Sequence, residues 1–442
     1  MLDALRGRRS RRFGIGMKME DGPLAYQSRH APVPLSEDEE ALLAFAACGI
    51  TGYALADLSL GQGQGGNILG GLVGRTVSSG DAIQSVALIL TNDEATYLLK
   101  RPQDFAPSEI PELLQLAEKG AFTELYRRSR VKIQAGRAVP PLEPMFNIAV
   151  NQWSLHAAGT TYFIPINELT FIYINGMLEV FNETSGLFIL DERAGFQPAG
   201  LEQFACSQGG HLMDDPHAGR VSTIQRIELL VSEVVTIEQG MMLQNLGLMA
   251  QAMGLGGFPN YAEHDFIWFQ TLGFRMETMP ASRYLGAPAA PADDPLVPYP
   301  VGLERDGDVL LKPYCPPYYP SMEAAVRAVA EAKLGAQGVF RGGASHSAWR
   351  DASAVSAGIP NISQAAIEAT IAYCTYIYER YGRFPAYLPP FRTAIGFQAT
   401  HLDLEFYDRY YRPEALTDTQ HQHFARWHSG SRISKTPTRK ER

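Results

Sequence analysis

The sequence has no surplus of positive charge, few cysteines and no long apolar run, and each shortage removes a class of function. Its 442 residues carry 38 Lys and Arg against 47 Asp and Glu, a formal net charge of −9. A general nucleic-acid binder needs a basic surface to displace counterions from phosphates, so that class is set aside. The four cysteines, Cys48, Cys206, Cys315 and Cys374, form no CxxC pair. That scatter provides neither a zinc site nor a disulfide framework, and it fits a reducing compartment. No stretch approaches the ~20 apolar residues that span a bilayer. No apolar run of signal-peptide length follows the early arginines. The expectation is a soluble, cytoplasmic protein with neither a membrane nor a nucleic acid as partner.

What is present suffices for a large core. Hydrophobic residues make up 45% and charged residues 19%, and cores stop growing near ~250–300 residues, so one large domain or two ordinary ones are allowed. Residues 36–48 (SEDEEALLAFAAC) predict a helix, with Ser36 as N-cap, Glu39 three residues on and an acidic first turn that complements the dipole. Ser85–Thr91, apolar and stopped by Asn92-Asp93, predicts a buried strand. Residues 107–128 predict a helix pair. The run TFIYING from Thr170 is open between helix and strand, and GLFILDE from Gly186 reads as a strand. The longest element is 222–253, capped by Ser222, with Ile227, Val231, Val234 and Leu246 at helical spacing. It ends at Gly254-Leu255-Gly256-Gly257, read as a turn. A Pro/Ala-rich stretch, 287–300, predicts a linker. Beyond it, Asp306-Gly307 predicts a type I′ hairpin within 301–311, and helices follow at 321–334, 363–382 and near 400–411. The last residues, 431–442, read as a solvated basic tail.

Three segments carry the chemical signal. Arg8-Arg9-Ser10-Arg11-Arg12-Phe13 could grip a phosphate through charged and hydroxyl hydrogen bonds; a solvated basic tail is its plainer reading. Arg75-Thr76-Val77-Ser78-Ser79-Gly80-Asp81 is rich in small residues that let backbone N–H groups approach a flat ligand; an ordinary loop is the alternative. Gln244 to Pro259 is a helix with a glycine-rich end, which a capping turn explains only in part.

In this order, the three segments resemble the nitroreductase-like FMN-dependent oxidoreductases, over roughly residues 1–286. The resemblance implies that Arg8, Arg9, Ser10 and Arg12 hold the FMN phosphate and ribitol. It places Ser78, Ser79 and Gly80 near the flavin ring. It puts Gln244, Gly256, Gly257, Phe258 and Pro259 on the helix and the segment passing the isoalloxazine. Departures are visible: Gly14–Val33 is inserted after the arginines, Val77 replaces a proline, and Tyr261 replaces an acidic residue. Lys312 is the nearest stand-in for the family's C-terminal phosphate-binding basic pair.

The implied fold is α+β, a mixed β-sheet flanked by helices: an FMN domain over 1–286, the linker 287–300, and a mostly helical extension over 301–430 acting as lid or dimer arm. The implied chemistry is hydride transfer at flavin N5, from NADH, NADPH or an organic donor to an organic small-molecule acceptor. The cofactor carries that reaction, so no catalytic side chain is named. Tyr261, His264 and Trp268 are candidates to line a substrate pocket, with plain packing as the rival reading. A homodimer holding FMN between its subunits is expected. A flavin-dependent dehydrogenase of a peptide or amino-acid-derived substrate, as in azoline-oxidising relatives, is an alternative, and so is a non-catalytic flavin scaffold.

Other motifs are weaker. Gly61-Gln62-Gly63-Gln64-Gly65-Gly66 matches GxGxxG, with Asp81 about twenty residues beyond, but no clean strand precedes it. No GK[ST] follows to make a P-loop. Metal ligands could come from His401, Asp403, Glu405 and Asp408, from His421 and His423, or from His211, Asp214, Asp215 and His217. A polar helix face or a turn explains each set, so no metal is expected. Ser345-His346-Ser347 has no nucleophile-elbow context.

Overall fold

In the computed structural model, which describes residues 1–56, 71–141, 153–261, 265–287, 290–342 and 347–427, helices and strands begin where side chains satisfy the chain's first free N–H groups. Helix α1 (Glu37–Cys48) starts in the expected capping box: Ser36 Oγ accepts from the Glu39 amide, and the Glu39 carboxylate accepts from the Ser36 amide. Strands β1 (Val86–Thr91) and β2 (Ala95–Leu99) follow, joined where Asn92 Oδ1 accepts from the Glu94 and Ala95 amides. Helices Ile110–Glu118 and Phe122–Ser129 form the expected pair and lead into β3 (Arg130–Ala135). Every residue of β4 (Thr161–Glu168) is buried. Next comes α2 (Thr170–Val180), so TFIYING is helical; the buried Glu168 carboxylate accepts from the Thr170 and Phe171 amides and decides it.

The longest element is α3 (Ile224–Met253). Its cap is Thr223, whose hydroxyl accepts from the Arg226 amide at 3.3 Å, and not Ser222, which is paired with Ile189 in a short strand. Gly254 closes it at φ +82, a left-handed conformation that glycine adopts without strain. The glycine turn ends there: Gly256–Tyr261 is a strand, β5, with one edge paired to a later strand. Helices α4 (Met322–Leu334) and α5 (Gln364–Tyr381), strands β6 (Phe391–Arg392) and β7 (Ile395–Thr400), and helix α6 (Asp418–Trp427) complete the framework.

The main sheet runs β5-β7-β4-β1-β2-β3, with β6 also against β4, and its pairs are all antiparallel. The architecture is α+β, as expected. The mixed pairing lies elsewhere, in a small sheet where Val221–Thr223 runs parallel to Phe188–Asp191. The side-chain alternation of β1 separates two cores. Leu88 and Leu90 face α1 and α3, packing with Leu43, Ala44, Leu246 and Ala250. Ala87 and Ile89 face Ile164, Ile166, Trp268 and Phe269. A third cluster joins α2, α4 and α5 through Tyr173, Val326, Tyr373 and Ile377.

The region expected to stand apart as lid or arm, 301–430, is helical in large part, but it also supplies β7 to the sheet, between β5 and β4. Residues 296–300 of the expected linker likewise belong to a strand, Leu296–Arg305, paired with Arg275–Pro280. The Asp306-Gly307 hairpin appears as expected, with φ of 53° and 90° at its two central residues.

Glu228 ties this later region to α3: its two carboxyl oxygens accept from the Ala386 and Tyr387 amides at 2.6 and 2.7 Å. Burial pushes this carboxyl up to about 7, against those bonds and Arg383. The unfolded chain releases the proton near ~4.3, so this contribution to stability is complete below that pH and is lost as pH rises through about 7. Glu228→Gln should flatten the fall in thermal midpoint between about pH 5 and pH 8. An unchanged slope would show that Glu228 does not bind a proton on folding.

Candidate functional site

Helix α3 gathers the three sequence segments. On one side it carries Glu238, whose side chain, like that of Arg75, is only 2% exposed; the two form an ion pair. Ser79 Oγ donates to Glu238 Oε2 at 2.7 Å and accepts from the Gln84 amide at 2.7 Å. Asn245 Nδ2 donates to the Thr76 carbonyl at 3.2 Å. A Cβ on Gly80 would lie 2.7 Å from Val234 Cγ1, so only glycine lets the loop sit this close. Burial raises the Glu238 carboxyl, and Arg75 and Ser79 oppose that shift. Ser79 and Gly80 therefore fasten the loop to the helix, while Ser78 is exposed.

The arginine segment lies near the other end of α3 and divides into anchor and free groups. Arg11 is the anchor, 4% exposed: it donates to the Ala415 carbonyl and to Gln251 Oε1, both at 2.7 Å, and its backbone pairs with Gly257. Arg12 lies 4.5 Å over the Phe258 ring. Arg8 is beside Gly247, where a Cβ would be 3.8 Å from Arg8 Cδ. Arg9 and Ser10 are exposed, and Arg9 donates only to local carbonyls, Arg6 at 3.1 Å and Arg8 at 2.9 Å. Gln244 and Pro259 are exposed at this end, while Phe258 is buried.

Gly256 and Gly257 have no room for a side chain. A Cβ on Gly256 would collide with Leu402 and sit 2.9 Å from the Arg11 carbonyl, and one on Gly257 would collide with Phe397. Close protein neighbours are enough to require glycine at both positions. Trp268 is buried and stacked on Tyr162 at 5.4 Å, so packing accounts for it. Lys312 lies 5.0 Å over the Tyr319 ring. The Tyr261 side chain, His264, Gly61–Gly66, Ser345, His346 and the tail lie outside the described residues.

Beside Ser79 and Gly80, and running toward Gln244, α3 presents a stripe that no described residue covers. Leu229, Leu230, Ile237 and Met241 are 57%, 57%, 58% and 41% exposed, at spacings that share one helix face. Glu238 and Gly247 are nine residues apart, ~14 Å along the axis. The loop and the arginines thus flank one apolar surface.

Sequence reasoning missed a cavity of about 360 Å³, lined by Gln84, Ser85, Arg101, Glu168, Tyr314 and Lys333 among others. Gln84 Oε1 and Ser85 Oγ are buried there without a hydrogen-bond partner. Ala82 and Gln84 both have φ of 56°, an uncommon conformation for residues with a Cβ. Neither orphaned atoms nor positive φ leaves a mark in sequence. None of the expected flavin contacts lines this cavity.

The metal candidates are dispersed. Asp403 accepts from the Phe406 amide, Glu405 meets Arg29 and His30 at 3.4 and 3.5 Å, and His211 meets the Phe181 carbonyl at 2.8 Å. His401 and His423, drawn from different sets, come together at 2.8 Å. No helix among the described residues is long and apolar enough to cross a membrane.

No protein-family model matches the sequence, and no curated protein matches it. Among solved structures, the chain is similar to a "putative nitroreductase" from Ralstonia eutropha JMP134. That likeness covers 62% of this chain and 75% of the other, at 11% identity and a TM-score of 0.28. It is too loose to assign a site.

Removing Glu238 should show what holds the loop. Glu238→Ala leaves Arg75 buried and unpaired, which should destabilise by about 3–5 kcal/mol. Ser78→Ala should stay within about 0.5 kcal/mol. Urea denaturation compares them, and equal losses would contradict a loop fastened through Glu238.

Proposed function

We propose that the protein is an FMN-dependent oxidoreductase that works as a homodimer, with the flavin in a groove at the arginine end of the α3 stripe. The observation that supports it most is the division of labour within the arginine segment. Arg11 and Arg12 are tied down by Gln251, Ala415 and Phe258, which presents Arg8, Arg9 and Ser10 on the surface beside Gly247. The residues fit a phosphate: Arg9 would exchange two exposed, local bonds for charge-assisted ones, and Ser10 adds a hydroxyl.

FMN, when bound, supplies the two-electron chemistry, accepting hydride from NADH, NADPH or an organic donor and delivering it to an organic acceptor. The chain's own contribution is positional. Arg8, Arg9 and Ser10 hold the phosphate and Arg12 keeps the segment against β5. Ser78 and Gln244 are the exposed polar groups of the other two segments. A second copy laid on Leu229, Leu230, Ile237 and Met241 would exclude water from the groove and bring the partner's loop toward it. The substrate class beyond a small organic molecule is left unnamed.

Arg9→Ala should raise the dissociation constant of FMN at least about tenfold, since a hydrogen bond to a charged group contributes ~1.5–3 kcal/mol. The variant's circular dichroism and thermal midpoint should match the parent's. Calorimetry with added FMN checks this, and a parent protein that neither carries nor binds FMN would overturn the reading. Anaerobic reduction of the bound flavin by NADH or NADPH then separates an enzyme from a passive scaffold.

A further inference from the structure

Beneath the arginine segment, three buried side chains from distant parts of the chain converge. Glu39 lies in the first turn of α1, His401 follows β7 and His423 is on α6. One ligand atom from each lies within 4.8 Å of the others, and no other such group occurs among the described residues. His401 Nδ1 and His423 Nε2 are 2.8 Å apart. His423 Nε2 is 3.6 Å from Glu39 Oε1, and His401 Nε2 is 3.6 Å from Glu39 Oε2.

Each side chain is also oriented from behind, as metal ligands usually are. Glu39 Oε2 accepts from the Ser36 amide at 2.8 Å and hydroxyl at 2.9 Å, leaving Oε1 turned toward His423. The His423 ring is hydrogen-bonded to the Met253 carbonyl, at the end of α3. His401 Nε2 faces the Pro34 carbonyl at 3.3 Å.

These partners dictate where the protons go. With Nε2 of His423 facing His401 and Glu39, its bond to Met253 uses Nδ1–H, and Nε2 is a lone pair. His401 meets it with Nδ1 at 2.8 Å and the Glu39 carboxylate lies at 3.6 Å, so three donor groups converge on one point where a shared proton or a metal ion can sit.

We propose that Glu39, His401 and His423 bind a divalent transition ion of the zinc class, which staples α6 to the start of α1 and the end of α3. Two imidazoles and one carboxylate suit zinc and its neighbours and disfavour calcium or magnesium, which prefer all-oxygen shells. Bonds of ~2.0–2.1 Å in tetrahedral geometry place ligand atoms about 3.3 Å apart, so the 3.6 Å contact fits and the histidines need part by only about half an ångström. Gln420, 1% exposed, lines a cleft with His401 and His423, and its Nε2 has no hydrogen-bond partner.

Chelator-stripped full-length protein, shown by circular dichroism to be folded, is titrated with Co²⁺ and then Zn²⁺. The expected result is one equivalent bound, visible d–d bands of a four-coordinate ion, and their loss when zinc displaces cobalt. Glu39→Gln keeps the helix cap through its amide oxygen and should weaken zinc binding by more than the roughly 10–100-fold that loss of an outer partner costs. His423→Ala should abolish the bands; if it does not fold, Glu39→Gln carries the test alone. Folded protein that gives no d–d bands and retains no zinc after dialysis overturns the proposal and leaves a proton as the bridging cation. Binding unchanged in Glu39→Gln overturns the assigned ligand set.

Discussion

A single helix that must find partners for its buried polar side chains organises the protein. Along α3, Glu228 holds the Ala386 and Tyr387 amides, Glu238 holds Arg75 and Ser79, Gln239 donates to the Pro165 carbonyl at 2.9 Å, and Gln251 accepts from Arg11. Each hook reaches a different segment. An unpaired charge at any of these depths would cost several kcal/mol, so each pairing fixes its segment's position as well as its presence. The apolar half of the helix seals the sheet. The polar hooks decide which chain lies where, and with them the placing of loop and arginines around the exposed stripe.

That organisation makes some features legible in sequence and hides others. Local chemistry was readable: the Ser36–Glu39 box, the Asp306-Gly307 turn and the Gly254 cap appear where their residue types require them. Long-range pairing was not. Nothing in Ile395–Thr400 announces that it sits between β5 and β4, since strand order depends on partners more than a hundred residues away. The Pro/Ala-rich stretch illustrates the same limit, because sheet pairing claimed residues 296–300. At the candidate site, the spacing of the arginine segment was informative. Its unassigned position, Arg11, proved to be the buried anchor, while Arg8, Arg9 and Ser10 are on the surface. Gly256 and Gly257 leave no room for a Cβ, and the glycine pattern did not reveal that the close neighbours are Leu402 and Phe397.

The late part of the chain is less an appendage than a second binding of the fold. It inserts β7 into the sheet and returns through α6 to the end of α3, where a Cβ on Gly254 would lie 2.7 Å from His423 Cβ. Arg11 reaches Ala415 just before α6, so the arginine segment, the end of α3 and the His401–His423 pair belong to one packed neighbourhood. The proposed metal would strengthen that neighbourhood, whereas the proposed flavin would use its outer surface. The two proposals name different residues within it.

In the proposed dimer, two copies meet on the α3 stripe and the paired form holds the flavin. Sedimentation velocity of the parent and of Ile237→Glu, each mixed with FMN and followed at visible flavin absorption, tests this. Colour should sediment with a species of twice the 48.6 kDa chain. Ile237→Glu should sediment as a colourless monomer, with free FMN left behind. A folded, monomeric Ile237→Glu that carries FMN as the parent does would contradict the proposal.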